Sequence, residues 1–227
     1  MKKYKYLGKL QALSITFVLS SLVLSHKIVI LSNIQFSAAS LIFPNTMLIA
    51  NIVAVVYGYK YSSEIMWETL KCQIPFTLIC FLAIKLPSPS ISDATIAYEY
   101  VFKDLWQISL ASLIGTYIGL KANIYALSKS NILLLYKGFW LRTLLACGVG
   151  EFVFTIIAVP MMFFNKVPFS NLLSIISISL VIKLIYSSVL SYGSQLIALK
   201  LIKSEKIEYD ISSFNYDPFR IHNTSII

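Results

Sequence analysis

Charge is what this sequence most lacks. Of its 227 residues only 13% are Asp, Glu, Lys or Arg, about half the share of an ordinary soluble domain. Acids are the scarcer sign, with 10 Asp and Glu against 19 Lys and Arg, and there are only 2 histidines and 3 cysteines. His26 and His222 stand far apart, and Cys72, Cys80 and Cys147 have no metal-ligand spacing, so no metal site is indicated. The cysteines fall inside apolar runs and read as packing residues. The chain shows no glycine-rich phosphate loop and no Ser/His/Asp set, which argues against an enzyme and leaves no cofactor to be expected. Apolar and polar residues do not alternate at period two, which disfavours an outer-membrane barrel.

Apolar side chains are what the sequence has in excess. They make up 57% of the residues, and the mean hydropathy is +0.76. A soluble globule of this size buries only roughly 70% of its unfolded surface, so water is the wrong solvent for most of this chain. The expected fold is an all-α integral membrane protein, a bundle of six helices, each span needing about 20 apolar residues. The spans are expected at Leu10–Leu31, Ala38–Tyr57 (interrupted by Pro44), Ile65–Leu86, Leu105–Leu127, Phe139–Phe164 and Phe169–Ile202. A polar loop with Pro-Ser-Pro-Ser separates the third and fourth, over residues 87–104. Residues 1–202 form the membrane domain on this reading, and 203–227 a polar cytoplasmic tail. The lysine-rich N-terminus resembles a signal peptide, but the apolar stretch after it continues into the second span, so an uncleaved first span is expected.

The positive charge has a side. With the N-terminus inside, the cytoplasmic face collects Lys2, Lys3, Lys5, Lys9, Lys60, Lys129, Lys137, Lys200, Lys203, Lys206 and Arg220, against Lys85, Lys103 and Lys166 opposite. Both termini are therefore expected in the cytoplasm, with the bundle in the inner (plasma) membrane. The net charge of +9 is spread over span ends and implies the lipid bilayer as partner, not nucleic acid.

Charges inside a span are costly and usually face a cavity or a partner. Lys60, Glu64, Glu68 and Lys71 recur at three- and four-residue spacing on one face of the third span, as an ion-paired helix end or an entry site. Lys121 is placed to snorkel. Glu151 lies roughly twelve residues inside the fifth span, too deep for a short carboxylate to reach water. Arg142 is about 13 Å away along the same helix and cannot pair with it as an intrahelical neighbour. Lys183 of the sixth span is the candidate cation, either as a structural pair or as a ligand-binding one. Ala111, Gly115 and Gly119 form a small-residue stripe in the fourth span, for packing within the bundle or for a dimer interface. Pro160 is a second candidate helix break beside Pro44.

The segment Ala38-Ala39-Ser40-Leu41-Ile42-Phe43-Pro44, followed by Tyr57-Gly58-Tyr59-Lys60, resembles the signature of the VUT family, the vitamin uptake transporter-like or queuosine precursor transporters. Lys27, Ala111-Ser112-Leu113, Trp140-Leu141-Arg142, Thr155 and Lys183 extend the resemblance in order over most of the chain. Asn51, Val55 and Phe154 stand where the family pattern usually carries acidic or charged residues, and Glu151 where it has an amide. The resemblance implies uptake of a 7-deazaguanine such as 7-cyano- or 7-aminomethyl-7-deazaguanine. A guanine-like edge offers adjacent N–H donors to a carboxylate such as Glu151, and Asn51 suits the remaining groups. Phe43, Tyr57 or Phe154 are candidates to stack on the ring. The expected substrate-binding set is Glu151, Asn51, Lys183, Arg142, Lys27, Phe43 and Tyr57. Two other readings stay open: a substrate-binding subunit that needs a separate ATP-driven energising module, and a family member that has lost transport. A homo-oligomer is compatible with all of them.

Overall fold

The structure is a computed structural model that describes residues 4–31, 34–87, 93–133, 139–164 and 168–205. Its elements in chain order are α1 (Leu7–Leu24), β1 (Ile28–Leu31), β2 (Ile34–Ser37), α2 (Ala39–Ile42), α3 (Pro44–Val56), α4 (Tyr59–Ala83), α5 (Asp93–Phe102), α6 (Leu105–Leu133), α7 (Phe139–Met162) and α8 (Phe169–Glu205). Among the described residues, 6 helices are long and apolar enough to cross a membrane, with α2–α3 and α5–α6 each counting as one. The expected six-helix bundle is present.

Its bounds differ from the hydropathy reading at several points, α4 among them, which starts at Tyr59 instead of Ile65. The first span stops at Leu24 instead of Leu31, because the Ser25 hydroxyl donates to the Leu22 carbonyl (2.6 Å) and His26 and Lys27 follow. The β-branched run beyond them then pairs as an antiparallel hairpin, Val29 opposite Phe36 and Ile30 opposite Gln35. Pro44 takes the first position of α3, where its missing N–H is harmless, and only Phe43 separates α3 from α2. The supposed loop before the fourth span contains α5, a helix of 10 residues. Pro160 lies within α7, which runs through it unbroken. At the far end, α8 continues to Glu205, and the tail expected beyond it lies outside the described residues.

The central element is α3, in which every residue except Asn45 is buried. It packs against α1, α4, α6, α7 and α8. The tightest pair around it is α6 and α7, where small residues let the backbones close. A Cβ on Gly119 would lie 2.9 Å from the Gly150 carbonyl, and one on Gly115 2.8 Å from the Ala158 Cβ. The small-residue stripe is thus consumed inside the bundle. Gly58, at φ +96°, makes the reversal from α3 into α4 that a side chain would resist.

The start of α1, the end of α3 and the end of α8 meet at one end of the bundle. There the Tyr6 backbone N–H (2.9 Å) and the Tyr57 hydroxyl (3.1 Å) both donate to Glu205. Tyr4 packs edge-on against Tyr57. The hairpin and α5 lie at the opposite end, with the end of α7.

Candidate functional site

A cavity of about 770 Å³ opens among α1, the hairpin, α2, α6, α7 and α8, on the hairpin side of the bundle. Polar and apolar side chains share its wall about equally, with hydroxyls from Ser21, Ser25, Ser37, Ser40, Ser112, Ser174 and Ser179. His26, Tyr100, Lys103 and Asp104 stand toward the hairpin end of the wall. Its inner end is built by three side chains. Phe43 closes α2, Phe154 comes from α7, and their rings stack 4.1 Å apart at 26°. The Lys183 ammonium of α8 lies over both, 4.4 Å from the Phe154 centroid and 5.2 Å from that of Phe43, within the range of cation–π attraction.

Glu151 lies just behind this surface, fully buried on α7. Its Oε2 is 2.9 Å from Lys183 Nζ, and the same ammonium donates to Thr155 Oγ1 at 3.3 Å. Thr155 is one helical turn beyond Glu151, so α7 presents both oxygens to one lysine. Oε1 of Glu151 has no hydrogen-bond partner in the structure. A buried carboxylate of this kind is tolerable only while its cation stays, since breaking such a pair typically costs about 3–5 kcal/mol.

A second polar group lies on the other side of the pair, further from the cavity. Asn123 of α6 donates to Asn51 Oδ1 at 2.7 Å, and Asn51 Nδ2 donates to Cys147 Sγ at 3.3 Å. All three are fully buried. Cys147 precedes Glu151 by one turn of α7, so this chain ends beside the carboxylate. Among the described residues no group of His, Cys, Asp and Glu is arranged to hold a metal ion.

The structure therefore brings together Glu151, Lys183 and Phe43, with Phe154 as their fourth member, and joins Asn51 to them through Cys147. It does not bring Tyr57, Arg142 or Lys27 to the cavity. Tyr57 is at the terminal end with Glu205; burial and that carboxylate push its phenol well above the ordinary range, so it stays a donor. Arg142 is buried in the first turn of α7, toward the terminal end. Lys27 is exposed in the turn between α1 and β1, where its carbonyl accepts the Ala38 N–H at 2.8 Å. The cavity serines and Asn123 are not in the binding set expected from the sequence, although Ser40 and Ser112 lie in the family-like segments. The spacing of Asn171, Ser174, Ser179 and Lys183 along α8 is the signal for the serines of that helix, and no spacing along one helix points to the others or to Asn123.

A family model described as "Putative vitamin uptake transporter" matches residues 37–194, well over half of the chain. Neither the curated proteins nor the solved structures yield a match. The matched segment starts at the last residue of the hairpin and holds Phe43, Asn51, Glu151, Phe154 and Lys183.

Proposed function

We propose, from the premise that this chain belongs to the vitamin uptake transporter family, that it carries a queuosine precursor or a similar small planar heterocycle into the cell. The cavity on the hairpin side, ending on Lys183 over the stacked Phe43 and Phe154, is the observation that carries the reading. A flat ring entering it meets an aromatic surface for stacking and a ring of serine hydroxyls for its heteroatoms. Behind Lys183 waits a carboxylate with one unbonded oxygen, the acceptor suited to the adjacent N–H pair of a guanine-like edge. The ligand competes with Lys183 for Glu151, and that exchange is how binding is coupled to movement. With both termini in the cytoplasm and the bundle in the inner membrane, the cavity faces outward, the orientation an importer needs to collect its cargo.

The reading in which a separate ATP-driven module docks on the small-residue stripe loses its support, because Gly115 and Gly119 face α7. Uptake by the reconstituted chain alone decides the matter. Proteoliposomes without ATP are expected to accumulate 7-cyano- or 7-aminomethyl-7-deazaguanine saturably, and not riboflavin or biotin. Glu151→Gln is expected to weaken that uptake at least tenfold. Unchanged affinity in Glu151→Gln removes the carboxylate from the site, and binding without uptake returns the energising module.

A further inference from the structure

One flank of the bundle does not suit lipid. The outward face of α4 carries Lys60, Glu64, Trp67 and Lys71 before it turns apolar at Ile74, Leu78 and Leu82. Lys71 and Glu68 form an ion pair at 2.8 Å whose side chains are 65% and 45% exposed. Beside them Trp67 rests on Tyr117 of α6 (5.2 Å), and the Lys121 ammonium sits 4.5 Å from the Tyr117 ring. The level of this patch is set by an internal marker. Thr69 of α4 hydrogen-bonds Ser14, near the middle of α1, at 3.2 Å. The ion pair is therefore level with the middle of a membrane span, not with its end.

The consequence is an uneven apolar belt. From Cys72 to Ala83 the uncharged part of α4 rises about 18 Å, well short of the roughly 30 Å hydrocarbon layer. On the opposite flank α8 shows Phe169, Leu173, Val181, Ile185, Val189, Tyr192 and Leu199 outward. Its one charge before Lys200, Lys183, is buried, which gives an uncharged face of about 45 Å. Lipid solvates the α8 flank fully and leaves an exposed ion pair in hydrocarbon on the α4 flank.

From this we infer that the α4–α6 flank is the interface with a second copy of the chain, around a two-fold axis along the bilayer normal. Two copies with one topology can meet only with equal levels side by side. Such a contact is isologous. At that level each copy presents one acid and one base a turn apart. The two pairs therefore interleave with alternating sign, Glu68 toward the second copy's ammonium and Lys71 toward its carboxylate. Glu64 and Lys60 add a second acid and base nearer the terminal end, in the reverse order along the helix. Trp67 supplies the large half-exposed ring that commonly anchors such a contact. The contact removes the misplaced charges from lipid, and neither the cavity nor the Glu151–Lys183 pair takes part in it.

The full chain in lipid nanodiscs tests this without reference to uptake. Native mass spectrometry is expected to find two copies per particle. In a Cys72→Ser/Cys80→Ser background, Ile74→Cys on the α4 face is expected to cross-link under copper–phenanthroline, and Val189→Cys on α8 is not. Glu68→Lys places cations alone at the interface and is expected to cut the dimer fraction at least tenfold. Glu68→Lys with Lys71→Glu restores the pair and is expected to restore the dimer, which separates this effect from misfolding. One copy per particle at every protein-to-lipid ratio overturns the inference. So does cross-linking at Val189→Cys in place of Ile74→Cys, or a dimer indifferent to Glu68→Lys.

Discussion

The bundle has two unlike halves, divided by the Lys183–Glu151 pair. Toward the hairpin a cavity of about 770 Å³ separates the helices, and serine hydroxyls line its walls. Toward the termini α3, α6, α7 and α8 are closed on one another, and at the level of the pair itself a Cβ on Gly119 of α6 would meet the Gly150 carbonyl of α7. Both halves are polar inside, but they satisfy that polarity differently. In the closed half a chain of side-chain hydrogen bonds runs from Asn123 through Asn51 to Cys147, and a junction forms around Glu205. A carrier must exchange these two conditions, closing the open half and parting the closed one. What holds the closed half is therefore what sets the energy of the change.

The sharpest way to break the division is to remove its boundary. Lys183→Ala leaves Glu151 buried without a cation. It is expected to lower stability by about 3–5 kcal/mol, read as a large fall in the detergent unfolding midpoint, and to abolish uptake. Pairing it with Glu151→Gln removes the stranded charge as well and is expected to return most of the stability but none of the transport. If Lys183→Ala alone unfolds at the wild-type temperature, the ion pair is not what divides the two halves.

A smaller effect is expected within the closed half. Asn51→Leu deprives the Asn123 amide of its acceptor inside the protein, at a cost of about 1–3 kcal/mol. Because Asn51 does not line the cavity, ligand binding from the open side is expected to change less than the transport rate. Equal losses in affinity and rate would place Asn51 in direct contact with the ligand instead.

How much of this was legible in the sequence differs between the two halves. Six spans follow from apolar runs of bilayer length, and Glu151 and Lys183 stood out as charges too deep to reach water. Pairing of the two needed only that each lacked another partner. The hairpin was hidden because Ile28–Leu31 is as apolar as the helix it follows, and hydropathy does not distinguish a strand from one more helical turn. Asp93–Phe102 was hidden by the proline-rich segment before it. The cavity wall was hidden for a different reason. Serine in a membrane helix serves close packing as often as solvation, and only the three-dimensional arrangement separates Ser40, in the wall, from Ser62, which donates to the Ala50 carbonyl. The Asn123–Asn51–Cys147 chain joins three helices, and no spacing along one of them announces it.

The smallest expected effect sharpens the comparison at its outer edge. Tyr57 ends the buried α3, and its hydroxyl donates to Glu205 at the last residue of α8, which also accepts the Tyr6 N–H. This junction ties α1, α3 and α8 together where the closed half meets solvent. The phenol keeps its proton under any physiological condition, since burial and the adjacent carboxylate raise its pKa. Tyr57→Phe removes one donor and leaves the ring packed on Tyr4. Glu205 lies at the solvent edge, so screening holds the loss to about 1 kcal/mol or less. A shift of that size raises the population opened toward the termini about fivefold at most. Ser194→Cys on the buried face of α8 reports it, since a membrane-impermeant maleimide added from the terminal side reaches it only when that half parts. Labelling is expected to quicken by up to fivefold in the Tyr57→Phe background, with little change in the unfolding midpoint. An unchanged labelling rate would mean that packing, not the Glu205 junction, keeps the terminal half shut.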